Sequence, residues 1–161
     1  MVLQDTKIFQ GTIRENIAYG KPNASIEEIK QAAELSFANT FIEKLPDGYD
    51  TYISNSDMLS EGEVQLLNIA RIMLIKPPIL ILDEATSNID LLTEDMIKKA
   101  ILELTSNSTS IIIAHRLSTI KNCDFIVFIE NGNIVEVGTH DELIDKKGAY
   151  YNMYKSQFNI I

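Results

Sequence analysis

Two short apolar runs in the chain each end in side chains that could act on a phosphate or a water molecule. Asp83 and Glu84 follow the run 79–82 directly, and His115 follows the run 111–114. Adjacent side chains on a strand point different ways, so one acid can face a metal ion while the other faces a water molecule. A histidine can hydrogen-bond a phosphate or a nucleophilic water without carrying a full charge. These residue types could therefore serve a metal ion, a water and a phosphate.

Each of these residues alone also fits a structural role. An isolated Asp-Glu pair is more often a solvated strand end, and an isolated histidine is more often structural. The run 79–82 is typical of a strand buried on both faces of a parallel sheet, which favours a functional role for the acids. Apolar residues at helical spacing within 96–104 connect it to a second buried strand, 111–114. The sequence predicts a strand-helix-strand crossover, and α/β sheets bind ligands at the carboxyl ends of their strands.

Local signals place the other elements. Ser25 with Glu28, and Thr139 with Glu142, are capping boxes, in which a hydroxyl and a carboxylate each satisfy a free N–H at a helix start. Asn131-Gly132 tolerates the positive φ angles of a two-residue hairpin turn. The other predicted elements are a short helix within 12–18, helices over about 26–37 and 62–74, strands over 125–129 and 134–137, and two short helices on either side of Gly148.

Length and charge limit the kind of protein. The 161 residues suffice for one domain. No apolar run approaches the roughly 18 residues of a bilayer span. The formal net charge of -9 is spread along the chain, so no nucleic-acid partner is expected. The single cysteine and the histidines supply neither a disulfide nor a structural zinc set, and without a secretory signal we expect a cytoplasmic protein.

Several motifs in a fixed order resemble those of ABC-type exporter ATPases. The stretch 79–87 resembles the Walker B segment, and 87–90 resembles the D-loop that follows it. Leu59-Ser60-Glu61-Gly62-Glu63 stands where the family has its signature, usually LSGGQ. Three further motifs have similar stretches in the chain. The Q-loop and the segment after it are similar to 2–5 and 8–17, the switch-histidine loop is similar to 113–119, and the exporter C-terminal hairpin is similar to 132–140. The resemblance covers essentially the whole chain.

The resemblance implies an α/β fold, namely a partial P-loop NTPase (RecA-like) parallel sheet with the ABC helical subdomain and a C-terminal β-hairpin plus helices. Within this incomplete domain, 1–161, about 1–20 would hold the Q-loop and the start of the helical subdomain, 21–77 the helical subdomain with the signature, and 78–161 the Walker B segment, D-loop, switch-histidine loop, hairpin and last helices. The motif G-x-x-x-x-G-K-[ST] does not occur in the chain. Walker A and the N-terminal β-subdomain are therefore expected in sequence outside it, whether the gene is split, truncated or given in part.

The resemblance also implies roles around ATP and Mg²⁺. Asp83 would hold magnesium, and Glu84 would act as general base or polarise the attacking water. His115 would steady the γ-phosphate, and Gln4 would touch both the metal and the water. In physical terms this is phosphoryl transfer by positioning and charge stabilisation.

A second ABC ATPase domain is the implied partner, because in this family two domains enclose two nucleotides head to tail. Ser60, the Gly62 backbone and Glu63 would face the nucleotide held by that partner, and Asp90 would help couple the two sites. The stretches 64–71 and 87–90 look like one subunit of a heterodimeric bacterial exporter. The exporter's transmembrane domain is the other implied partner, and the location would be the cytoplasmic face of the cell membrane.

The signature departs from the family pattern at Glu61 and Glu63. A carboxylate about 4 Å from a partner-bound phosphate would repel it by roughly 1 kcal/mol in water and about 4 kcal/mol at an effective dielectric of 20. Alternatively, the two acids simply favour a helix start. The loop 54–57, one residue short of the usual contact with the transmembrane partner, also departs from the pattern.

The leading interpretation is the ATP-binding and hydrolysing part of an ABC exporter, whose own nucleotide site is the hydrolytic one of the pair. The 161 residues alone are expected to be inactive. A degenerate module that dimerises or regulates without hydrolysis is the alternative. A soluble ABC ATPase of DNA repair or translation fits less well, because 115–119 and the hairpin are exporter-like.

Overall fold

The structure is a computed structural model that describes residues 8–55, 58–83, 89–106, 108–113 and 120–158. The chain divides into two compact units, Met1–Ile113 and Ala114–Ile161. The elements of the first unit are β1 (Gly11–Thr12), α1 (Ile13–Ile17), a 3₁₀ turn (Ala18–Gly20), α2 (Ile26–Leu35), α3 (Asn39–Ile42), a 3₁₀ turn (Gly48–Asp50), β2 (Tyr52–Ile53), α4 (Glu61–Ile75), β3 (Ile79–Asp83), α5 (Leu91–Thr105) and β4 (Thr109–Ile113). Those of the second are β5 (Ile126–Glu130), β6 (Asn133–Gly138), α6 (His140–Lys146) and α7 (Ala149–Phe158).

The predicted crossover is present in the first unit. Strands β3 and β4 pair in parallel from Ile79 opposite Thr109 to Asp83 opposite Ile113. Helix α5 lies between them in the chain, as the apolar spacing over 96–104 predicts. Both strands therefore end at the same edge, with Asp83 as the last residue of β3.

Two expectations are wrong for the described structure, namely that the run 79–82 is buried on both faces and that 111–114 forms a second buried strand. Leu80 and Leu82 are buried in the main core, whereas Ile79 is 62% exposed. On β4, Ile111 and Ile113 are also exposed, and Ile112 packs against the core. Strand side chains alternate between faces, and only one face of this pair meets the core. An apolar run predicts a strand but not which of its faces the rest of the molecule covers.

Helices α1, α2 and α4 supply most of the main core. Fully buried side chains include Ile13 and Ile17 of α1, Ala33 of α2 and Leu67 of α4. Helix α2 begins at the predicted Ser25–Glu28 capping box but ends at Leu35, before Phe37 adopts a positive φ of 62°. None of the helices in the described part of the chain has both the length and the apolar character that a bilayer crossing requires.

The pairing of β1 with β2 was not predicted. Gly11 lies opposite Ile53 and Thr12 opposite Tyr52 in an antiparallel pair. The N–H of Ile13 also donates to the carbonyl of Thr51 over 3.0 Å. Two-residue strands so far apart in sequence carry no periodic pattern, so only the folded structure reveals them. Residues 56–57 of the predicted short loop lie outside the described residues.

The second unit is built on the predicted hairpin. Strands β5 and β6 are antiparallel, and φ is 50° at Asn131 and 77° at Gly132, as the turn requires. Helix α6 begins at the predicted Thr139–Glu142 capping box. Ile126, Leu143 and Tyr150 form a small core, in which the Tyr150 hydroxyl lies 2.9 Å from Nδ1 of His140.

Candidate functional site

Asp83 stands at the strand edge where the sequence predicts the metal site. It is half-buried and lies opposite Ile113, the last residue of β4. Gln4, Glu84 and His115, the other residues assigned to the metal, water and γ-phosphate, lie outside the described residues. The part of the chain that the structure describes contains no group of three or more His, Cys, Asp or Glu side chains able to hold a metal ion. Asp83 supplies one carboxylate, the type of ligand that Mg²⁺ prefers, and so fits as a single ligand.

Ser60 caps α4, and Glu63 completes a capping box with it. The Ser60 backbone has extended geometry, and its hydroxyl oxygen accepts the N–H of Glu63 over 3.3 Å. In return, Oε2 of Glu63 accepts both the N–H of Ser60 at 2.8 Å and its hydroxyl at 2.9 Å. The carboxylate therefore engages both hydrogen-bond donors of Ser60. The hydrogen bonds expected if Glu63 favours the helix start are therefore present. The effect of Glu63 on a partner-bound phosphate stays a prediction.

Gly62 occupies the second position of α4 because no larger residue fits there. It is buried, and a Cβ added to it would lie 2.4 Å from Cγ2 of Thr93 and 3.4 Å from Cγ2 of Ile89. Carbon atoms do not approach to 2.4 Å without something shifting. Glycine here serves the close approach of α4 to the first turn of α5. This contact brings the signature stretch and the stretch after the Walker B segment together.

Asp90 caps α5. Its Oδ1 accepts the N–H of Leu92 at 3.1 Å and that of Thr93 at 3.0 Å. Hydrogen bonding from the Thr93 side chain, and then from its backbone N–H, holds the pKa of the exposed Asp90 carboxyl below its usual range. Asp90 is therefore ionised near neutral pH and favourably placed at the positive end of a helix dipole. The predicted coupling role falls on a residue that the structure uses as a helix cap.

A buried polar cluster joins α4 to the segment that comes after the Q-loop stretch. Arg71 is buried in α4, and its Nε donates to the backbone carbonyl of Asn16 at 2.7 Å. Its terminal nitrogens donate to Oδ1 of Asn16 at 2.6 Å and to Oδ1 of Asn68 at 2.8 Å. The guanidinium also lies 5.3 Å from the centre of the Phe9 ring. Burial lowers the pKa of Arg71 from its usual value.

Asn16 is the centre of this cluster. Its Nδ2 donates to the carbonyls of Phe9 at 2.9 Å and Thr12 at 3.0 Å, and its Oδ1 accepts the N–H of Phe9 at 3.0 Å. Sequence reasoning did not identify the cluster. The available signal is Asn68 and Arg71, two polar residues one helical turn apart on the otherwise apolar face of α4. Their partner Asn16 lies 55 residues from Arg71, beyond the reach of any local pattern.

Known proteins similar to this chain agree with the resemblance drawn from its motifs. Residues 1–87 match the family model described as ABC transporter. The chain is 54% identical over 158 residues to the "Uncharacterized ABC transporter ATP-binding protein YfiC" of Bacillus subtilis (strain 168), covering 98% of the chain and 26% of that protein. It is 52% identical over 158 residues to a "Putative multidrug export ATP-binding/permease protein" of Staphylococcus aureus (strain Mu50), covering 98% of the chain and 27% of that protein. The chain thus spans about a quarter of the length of the curated relatives it matches.

A solved structure is similar as well. It is the "Structure of a bacterial Atm1-family ABC exporter with ATP bound", with a TM-score of 0.84 and 42% sequence identity. The similarity covers 96% of this chain and 27% of the exporter chain. At this identity the likeness extends beyond the fold, and it agrees with the predicted partial NTPase domain.

Proposed function

The chain belongs to the ABC transporter family, and we propose that it forms part of the ATP-binding domain of an exporter, in which ATP hydrolysis drives transport across a membrane. The observation that carries the proposal is the close approach of α4 and α5 at Gly62. It joins the signature stretch to the D-loop stretch, the two segments that would face a second ATPase domain. The names of the relatives, an exporter and an export ATP-binding/permease protein, support the same function.

The residues divide the proposed work between two sites. At the strand edge, Asp83 fits as a ligand of Mg²⁺, an ion that would neutralise phosphate charge. Glu84 would polarise the attacking water, His115 would hold the γ-phosphate, and Gln4 would contact the metal and water. These groups orient reactants and stabilise charge, which is most of what phosphoryl transfer asks of a protein.

The start of α4 would serve the nucleotide of a partner domain. The first N–H groups of a helix have no intrahelical acceptors and carry partial positive charge, so they favour an anion. Ser60 and the Gly62 backbone lie at this start, but the Glu63 carboxylate already engages the Ser60 donors. A phosphate must displace that carboxylate to reach Ser60. The partner's site should therefore bind ATP less tightly than this protein's own site. Such a difference fits a heterodimer of ATPase domains at the cytoplasmic face of a membrane, where a transmembrane domain completes the exporter.

The test is the Glu84→Gln variant of the intact protein with its partner subunit. The amide keeps the shape of the side chain but loses the proton acceptor, so ATP turnover should fall about 10²- to 10⁴-fold. ATP binding should persist. Glu103→Gln, which alters an exposed glutamate of α5, is the matched control. Turnover at the wild-type rate in Glu84→Gln would mean that another group positions the water.

The alternative of a non-hydrolysing module makes a different prediction in the same experiment. In that case the intact wild-type protein binds its partner, but the pair releases no phosphate from ATP. The 161 residues alone should bind ATP weakly, because they contain no glycine-rich phosphate cradle and the acids at the strand edge repel the nucleotide. Calorimetric titration of the chain with magnesium-ATP checks this, and a dissociation constant in the low micromolar range would contradict it.

A further inference from the structure

We infer that Thr93 is a positioning residue, whose methyl group against Gly62 sets how closely the start of α4, with Ser60, approaches the start of α5, with Asp90. The inference rests on the proposed function, because it concerns the ATP that Ser60 would face. It adds a role for a residue outside both the signature and the D-loop stretch. Thr93 touches no nucleotide in this proposal and acts only through the residues beside it.

The first step of the argument is the space at Gly62. A Cβ there would lie 2.4 Å from Cγ2 and 3.3 Å from Cβ of Thr93. The Thr93 methyl group thus occupies the volume that a side chain at position 62 would need. The backbone of α4 rests on this methyl group, so adding or removing one carbon on either side changes the spacing of the two helices.

The second step is the backbone position from which this methyl group extends. The Thr93 N–H donates to Oδ1 of Asp90 at 3.0 Å, so the cap of α5 holds the Thr93 backbone in place. Threonine is branched at Cβ, so its side chain has few rotamers in a helix. The Asp90 cap therefore helps to fix the position of the methyl group that Gly62 contacts. A single residue links the starts of α4 and α5.

The third step is the effect of this spacing on the position of Ser60, and so on ATP binding. Ser60 lies two residues from Gly62, at the start of a helix whose remainder is fixed in the core by Leu66, Leu67 and Ala70. A change at Gly62 therefore tilts the exposed end of α4 more than its buried part. Misplacing a group by about 1 Å can cost about 10²-fold in rate, and losing one hydrogen bond to a charged group costs about tenfold or more in affinity. The Ser60 donors are the groups that such a tilt displaces.

The experiment uses the full-length protein with its partner, and measures ATP affinity separately at the partner's site and at this protein's own site. Thr93→Ser removes the methyl group and keeps the hydroxyl. It should weaken ATP at the partner's site about tenfold and leave the other site within about twofold. Thr105→Ser makes the same chemical change at the far end of α5, where the hydroxyl bonds to the carbonyl of Ile101, and is the matched control.

Two further variants separate the methyl group from the hydroxyl. Thr93→Val keeps a methyl group toward Gly62 and loses the hydroxyl, so it should weaken ATP less than Thr93→Ser does. Gly62→Ala should weaken ATP more than either, and adding Thr93→Ser to it should recover much of the loss because the added carbon then has room. A positive coupling of this kind distinguishes a positioning contact from general destabilisation, which would make the double variant worse.

The outcomes separate the inference from the proposed function. If the wild-type pair binds ATP but Thr93→Ser matches Thr105→Ser at both sites, the positioning role is wrong and the proposed function stands. Equal losses in Gly62→Ala with and without Thr93→Ser would also overturn the positioning role. If the wild-type pair binds no ATP, the proposed function fails, and the positioning role fails with it.

Discussion

The capped starts of α4 and α5 and the buried cluster around Arg71 use the same chemistry under different conditions. In both, short polar side chains satisfy backbone groups. At the caps, Ser60 and Asp90 are exposed, and water can replace any hydrogen bond that is lost. In the cluster, Asn16 and Arg71 are buried, and a lost partner leaves a polar group in the core. Burial, rather than the number of hydrogen bonds, therefore decides which region stabilises the fold and which can contact a ligand.

The largest expected effect is Asn16→Ala. The variant removes the Oδ1 that accepts from Arg71 and Phe9, and the Nδ2 that donates to two carbonyls. Leaving a charged guanidinium and backbone groups buried without these partners should lower the free energy of unfolding by about 3–5 kcal/mol. Urea unfolding of the chain measures this, with Asn23→Ala, at an exposed asparagine, as the control. A loss below about 1 kcal/mol would remove the distinction between buried and exposed regions.

The next effect is that of Glu63→Gln on the partner's nucleotide. Replacing the carboxylate removes a negative charge and loosens its contacts with the Ser60 donors, so ATP should bind more tightly at that site by about 1–3 kcal/mol. Site occupancy is read in the intact pair, with the P-loop lysine of this protein's own site removed so that only ATP at the partner's site is measured. Unchanged or reduced occupancy would mean that Glu63 acts only as a helix cap. Glu142→Gln, in the equivalent capping box of α6, is the matched control.

The smallest effect is a dependence on acid pH. The pKa of Asp90 is lowered mainly by hydrogen bonding from Thr93, and that of Glu142 is lowered mainly by the N–H of Thr139. A carboxyl whose pKa is lower in the folded state binds fewer protons there than in the unfolded chain. Its stabilisation is therefore complete above the usual carboxyl pKa of about 4 and is lost as pH falls through the lower folded value.

Unfolding at pH values from about 6 to 2 tests this expectation. The free energy of unfolding should decrease below about pH 4 in the wild-type chain. Asp90→Asn should make the decrease shallower, whereas Asn16→Ala should shift the whole curve without changing its slope. An unchanged slope in Asp90→Asn would show that this cap carries no linked proton.

Local chemistry made most of the fold predictable. The capping residues Ser25 and Thr139 and the turn at Asn131-Gly132 each fix the backbone within a few residues, and the structure has each element there. Features that depend on distant partners were not predictable. The β1–β2 pair, the Asn16–Arg71 contact and the exposure of Ile79 all depend on what the rest of the molecule brings alongside.

The same division holds at the candidate site. The motifs identified Ser60, Gly62, Asp83 and Asp90, and the structure places them at helix starts and a strand edge. The sequence could not reveal that the Thr93 methyl group occupies the space that a side chain at position 62 would need. The two residues are far apart along the chain, and only the packing of α4 against α5 brings them together. The roles of these residues stay predictions, as do those of Gln4, Glu84 and His115.

The exposed face of the β3–β4 pair should affect the solubility of the chain. Isoleucines at 79, 81, 111 and 113 share this face, and all four are exposed. Adjacent apolar side chains on a sheet favour association between molecules. The net charge of -9 opposes that association through long-range repulsion between chains. At 0.1 M salt, the repulsion between charges more than about 10 Å apart is largely screened, whereas the apolar attraction remains. The solubility of this chain should therefore decrease as salt is added.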